Sequence, residues 1–202
     1  MRSRYPRKAL GTVQRKQVVG IAKNVVARQT EKAQVTFQIS NTASTSGSFH
    51  SLSDVSAGTA DGQRLKHQIT LKSLHMNFVG TQADPTNVFR FIVFQYFDVD
   101  FPTTAKILQL TGSTNSWLSP YNFDNAKSFR ILYDSVKLVN NVSKPQVSWN
   151  KYVKLSKARK DIEFSGTTTD GINKVYLLVL SDSTAVTHPA FYGVATLTYT
   201  DS

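Results

Sequence analysis

The sequence contains no cysteine. That removes disulfide frameworks, thiolate nucleophiles and cysteine-based zinc sites. No run of about eighteen apolar residues is present, so no segment reads as a membrane-spanning helix and no membrane partner is expected. The N-terminus lacks the apolar core of a secretory signal, which leaves the acceptor-like triplet Asn141-Val142-Ser143 without the context glycosylation needs. The histidines are His50, His67, His75 and His188. They show no ligand spacing, and His67 and His75 lie too far apart along one predicted strand to share a metal. There is no GxSxG, phosphate loop, HExxH or dinucleotide fingerprint, and the expectation is a protein that is not an enzyme.

Acidic residues are nearly absent from the first 32 positions. Arg2, Arg4, Arg7, Lys8, Arg15, Lys16, Lys23, Arg28 and Lys32 face the single acid Glu31, a net of 9 − 1 = +8 out of +11 for the whole chain. The remaining 170 residues hold fifteen basic and twelve acidic groups, or +3. A cationic arm on a near-neutral body points to a polyanion as the partner of the arm. Residues 1–32 therefore read as a nucleic-acid-binding arm, and 33–202 as one folded domain. Within the arm, Val18, Ile21, Ala22 and Val25 recur at helical spacing, predicting an amphipathic helix over about 14–29. Its β-branched residues and Gly20 make it weak alone. A mitochondrial presequence shares the basic, acid-poor character and ranks below packaging because the arm holds only Ser3.

After Glu31 the period changes to two. Val35, Phe37 and Ile39 alternate with Gln34, Thr36 and Gln38, which predicts a half-buried strand. Asn41 to Gly62 reads as a long loop. Residues 64–80 read as a strand whose apolar parity slips by one, placing a β-bulge near Lys72-Ser73. Val88 to Phe97 is apolar on both faces, a central strand covered on both sides, either by a second sheet and an arm or by another subunit. Residues 98–127 are irregular. Residues 128–140 form a second strand with a slip, between Tyr133 and Val136. Strands over 147–156, 161–165, 174–180 and 191–200 complete the set, with a hairpin turn at Asp170-Gly171. The prediction is an all-β fold: an eight-stranded antiparallel jelly-roll sandwich with a basic, partly helical N-terminal arm.

Asn87 to Phe94 (NVFRFIVF), Ser119-Pro120-Tyr121-Asn122, Ser128 to Lys137 (SFRILYDSVK) and the terminal Tyr199-Thr200-Asp201-Ser202 resemble the coat protein of satellite tobacco necrosis virus. They also resemble the small capsid proteins of circular single-stranded DNA viruses. The resemblance implies a jelly-roll subunit, sixty of which build a small icosahedral shell, with arms directed inward to a single-stranded DNA or RNA genome. It implies a virion location, with the host nucleus added if the genome is DNA. It also makes Asp201 a candidate ligand for calcium between subunits; no other cofactor is expected.

A second basic cluster, Lys151, Lys154, Lys157, Arg159 and Lys160, surrounds a predicted turn. It fits either a genome contact or a charge-protected sheet edge. Asp98 and Asp100 share one side of a strand end, where a polar loop is the plainer reading than a cation site. Trp117 and Trp149 read as core or interface anchors. The alternative function is a non-assembling jelly-roll module that binds nucleic acid or carbohydrate. A cupin-type enzyme ranks third for want of paired histidines.

Overall fold

A computed structural model describes residues 15–19, 32–110, 115–155, 161–184 and 187–201. The chain divides into two compact units, Met1–Glu31 and Lys32–Ser202. Of the first, residues 15–19 are described and are helical, and all five are exposed; the rest of the helix expected over 14–29 lies outside the described residues.

The second unit is two packed antiparallel sheets. Its strands are β1 (Ala33–Thr42), β2 (Ser48–Ser51), β3 (Gln68–Thr81), β4 (Thr86–Tyr96), β5 (Phe129–Asn140), β6 (Gln146–Lys154), β7 (Ile162–Phe164), β8 (Gly171–Ile172), β9 (Lys174–Ser181) and β10 (Ala190–Asp201). One sheet runs β1-β10-β3, with β6 and β7 sharing the far side of β3 and β8 following β7. The other runs β2-β9-β4-β5. The chain passes back and forth between the sheets, with β1, β3, β6, β7, β8 and β10 in one and β2, β4, β5 and β9 in the other, the wrapping of a jelly roll, so the all-β expectation holds. Strand β2 was expected to be loop. It holds one large apolar residue, Phe49, and too few residues to show a period, yet pairs Ser48–Ser51 with Tyr176–Val179.

The core between the sheets gathers Leu71, Leu74, Met76 and Phe78 from β3, Phe89, Phe91 and Val93 from β4, and Phe191, Ala195 and Leu197 from β10. Trp149 anchors it, with ring centroids 5.0 Å from Phe78 and 3.6 Å from Phe91. Burying such aromatic area is the main term holding two sheets together. Gly193 faces the same layer. A Cβ there would lie 2.1 Å from the Asn77 carbonyl oxygen and 2.8 Å from the Phe78 ring, so the close approach of β10 to β3 requires glycine.

Both parity slips are bulges. Ser73 opposes Thr198 while Leu71 opposes Tyr199, leaving Lys72 as the extra residue, where the sequence placed it. In β5, Tyr133 opposes Val93 and Ile131 opposes Phe94, so the extra residue is Leu132, ahead of the position expected. Phe129 and Ile131 therefore pack on the outside of their sheet and Leu132 and Tyr133 on the inside. Val136 and Leu138 return to the outside, where they are exposed.

Strand β4 is covered on both faces, but neither the arm nor a second subunit is needed. Ile92, Phe94 and Tyr96 point away from the inter-sheet core into a second cluster with Tyr176, Leu178, Ile107 and Leu108. That cluster is roofed by the connection between β4 and β5, which contains a helical turn at Thr104–Ile107 and a 3-10 turn at Ser116–Leu118. The connection is closed on itself by Leu108 bridging Tyr121 and by Asn122 N–H to the Ile107 carbonyl at 2.9 Å. It is tied to the β1–β2 loop by Thr104 Oγ1 donating to the Ser46 carbonyl at 2.7 Å.

Candidate nucleic-acid interface

Of the arm cations, Arg15, Lys16 and Lys32 are described and exposed. Arg2, Arg4, Arg7, Lys8, Lys23 and Arg28 lie outside the described residues, as do Lys157, Arg159 and Lys160 of the second cluster.

The two described lysines of the second cluster do not act together. Lys151 is on the inward parity of β6, alongside Trp149 and Val153, and its Nζ lies 5.3 Å from the Tyr133 ring centroid of the opposite sheet. An inward-pointing charge at the open side of a sandwich discourages edge-to-edge pairing. Lys154 points the other way, outward from β6 beside Ser73.

The structure adds a residue that charge clustering alone misses. Leu71 and Leu74 are both in the core, so the bulge turns Lys72 and Ser73 together onto the outer face. The Leu155 N–H donates to the Lys72 carbonyl at 2.9 Å, which makes Lys72 and Lys154 neighbours. Lys32, just before β1, lies at the same end of the sheet, since Ala33 pairs with Tyr199 and Leu71 follows on β3. The parity slip located the bulge; its consequence for a lysine side chain was the unread part.

Away from these cations the outer face is neutral and its side chains hydrogen-bond to one another across strands. Gln34 Nε2 donates to Thr198 Oγ1 at 3.3 Å, the Thr36 and Thr196 hydroxyls are 3.1 Å apart, and His75 Nε2 lies 3.0 Å from Asn150 Oδ1. A shallow open depression between β1 and β10 is lined by Gln38, Ser40 and Tyr192.

Asp201 is held differently. Its Oδ2 accepts the Leu65 N–H at 2.9 Å, and its Oδ1 is buried without a hydrogen-bond partner. Nearby, Arg64 is 1% exposed and donates to four carbonyls: Val55 at 3.1 Å, Lys66 at 2.7 Å, Gly166 at 2.9 Å and Thr168 at 2.7 Å. Burial pulls the Arg64 pKa down, and Asp201 and Tyr199 act against that shift. Calcium requires six to eight oxygens. Asp201 offers one free oxygen, and among the described residues no group of three or more His, Asp or Glu is placed to hold a metal. These residues do not make a calcium site within one chain. Asp100 is likewise engaged, by Lys106 and by the Tyr96 hydroxyl at 3.2 Å.

No curated protein sequence is detectably similar to the chain. Among solved structures, a chain of desmodium yellow mottle tymovirus aligns at TM-score 0.39 and 14% identity, covering 98% of this chain and 94% of that one. A structure of infectious bursal disease virus, Gx strain, aligns at TM-score 0.34 and 10% identity, covering 85% of this chain and 33% of the viral chain. The family described as satellite tobacco necrosis virus coat protein matches residues 5–202, all but the first four of the 202 positions. With an all-β jelly roll and a match over nearly its whole length, the chain belongs to the satellite tobacco necrosis virus coat protein family.

Proposed function

We propose that this capsid protein assembles with copies of itself into a closed icosahedral shell of sixty subunits and packages a single-stranded genome through its basic N-terminal arm. The observation that carries the reading is the charge division: +8 in residues 1–32 and +3 in the other 170. Arm cations would neutralise phosphates and release condensed counterions, with a salt slope of roughly −0.7 per contact on a single strand. Such binding is largely blind to base sequence, which suits a genome of either RNA or DNA. A DNA genome would add a nuclear stage, for which Arg7-Lys8 and Arg15-Lys16 supply basic pairs.

Self-assembly is supported by apolar side chains that the domain leaves outside its own clusters. Leu118 and Phe123 on the β4–β5 connection, Val136 and Leu138 on β5, and Val142 in the β5–β6 turn are exposed. Large apolar side chains left in water are candidates for contacts between proteins. Reading the chain as a structural protein also fits its side chains, since the prominent polar groups, Arg64 and Arg90, are bound to backbone carbonyls or a carboxylate.

Electron microscopy of the purified full chain, with light scattering, tests assembly. Uniform closed particles are expected; a monomer or trimer at all concentrations overturns the shell.

A further inference from the structure

We propose that the outer face of the β1-β10-β3-β6 sheet is a second nucleic-acid-binding surface, on which Lys72 and Lys154 hold phosphates of a single strand and Tyr152 and Tyr192 stack its bases. The inference deepens the packaging reading and rests on it.

The two sheets differ in what lies over them. The outer face of the β2-β9-β4-β5 sheet is roofed by the chain's own β4–β5 connection. Among the described residues, nothing roofs the outer face of the other sheet, where Gln34, Thr36, Gln38 and Ser40 of β1 and Ser148, Asn150 and Tyr152 of β6 are exposed. The twelve acids of residues 33–202 avoid this four-stranded face. On the same sheet, Glu163 lies past the bulge on β7 beside Gln68, and Asp201 turns to the Leu65 amide. Its cations gather at one end, where Lys72 and Lys154 are adjacent and Lys32 directly precedes β1.

An acid-free face with lysines along one border and hydrogen-bonding groups beyond is complementary to a polyanion. A bare antiparallel sheet face bearing aromatics is also a physical platform for unstacked bases. Tyr152 and Tyr192 are the large aromatic side chains exposed there, at 60% and 44%. Amide, imidazole and hydroxyl groups pair laterally across this face, as in Gln34–Thr198 and His75–Asn150. Adjacent strands are about 4.8 Å apart, so four of them span about 14 Å, enough for a strand of nucleotides to lie across them.

The test uses the full chain with fluorescein-labelled twenty-nucleotide oligouridylate and oligothymidylate, titrated at several salt concentrations. Lys72→Gln with Lys154→Gln should flatten the slope of log affinity against log salt by about 1.4, two contacts at roughly 0.7 each. Lys127→Gln with Lys144→Gln, away from this face, should leave it unchanged. Oligonucleotides carrying 5-iodouracil should cross-link to peptides containing Tyr152 or Tyr192. A double variant with the unaltered slope, or cross-links confined to residues 1–32, overturns the second surface and leaves the arm intact. Hydrogen-exchange protection of this face in particles free of nucleic acid overturns it too, by assigning the face to contacts between copies. If the unaltered chain binds neither oligonucleotide, the packaging reading fails with it.

Discussion

Arg90 of β4 holds Asp134 of β5 through two nitrogens of its guanidinium, Nε at 3.1 Å and Nη2 at 2.7 Å. Its remaining Nη1 reaches the carbonyls of Trp117 at 3.0 Å and Ser119 at 2.6 Å, and the Tyr121 hydroxyl donates to the same carboxylate. One ion pair therefore fastens the β4–β5 connection over its sheet. Burial alone would lower the Arg90 pKa, and Asp134 more than offsets it, so the net shift is upward. Arg90→Leu strands the Asp134 carboxylate and the two carbonyls. It should cost about 3–5 kcal/mol in denaturant unfolding. Arg90→Lys should recover little, because an ammonium cannot reproduce the planar fork.

Arg64 plays the matching part at the other end of the sandwich, where its four carbonyl bonds join the β2–β3 connection to the β7–β8 turn. Its guanidinium carbon sits 4.1 Å from the Phe164 ring centroid. Arg64→Met keeps the bulk and leaves four acceptors unserved, so stability should fall by about 2–4 kcal/mol. Hydrogen exchange should quicken first in residues 52–67 and 165–170; uniform protection with an unchanged melting temperature would contradict this.

Three parts of the sequence that carried the family resemblance meet at Arg90. Asn87 to Phe94 is most of β4, Ser128 to Lys137 is most of β5, and Ser119-Pro120-Tyr121-Asn122 is the segment they hold down. Their meeting could not be read from the chain, because a two-faced apolar strand announces that it is covered without saying by what. The cover came from residues 98–128, whose irregular sequence has no period to read. The bulge at Lys72 was legible because buried Leu71 and Leu74 fix the faces on either side of it. The one in β5 was displaced because Val136 and Leu138, though apolar, are exposed. The arm's charge was plain in the sequence, whereas the acid-free outer face draws on four strands far apart in the chain and needed the sheet to assemble it.

Alkaline stability should follow the buried tyrosines. Burial pushes Tyr176 and Tyr199 up to about 12. In the unfolded chain they titrate near 10. The folded state thus holds these protons more tightly, and its stability is intact below pH 10 and declines as the pH rises towards 12. Thermal melts across pH 9–12, followed beside tyrosinate absorbance, should show the melting temperature falling over that window. Tyrosines that all ionise near pH 10 without unfolding would contradict the burial seen here.

Assembly and folding should separate at exposed apolar positions. Phe123 is 74% exposed and Val142 is 90% exposed. Phe123→Ser with Val142→Ser should leave the melting temperature of the dissociated subunit nearly unchanged, within about 0.5 kcal/mol for each surface substitution. Particle yield by sedimentation should drop. Unchanged yield would remove these side chains from the contacts between copies.

We propose a division of labour in which the arm grips the genome and the jelly roll builds the shell. The most direct measurement is the nucleic-acid content, by ultraviolet absorbance ratio, of particles made from the full chain and from a chain lacking residues 1–31. Nucleic acid is expected in the first, a large loss of it in the second, and an equally stable domain in both. Equal nucleic-acid content in the two preparations would contradict it.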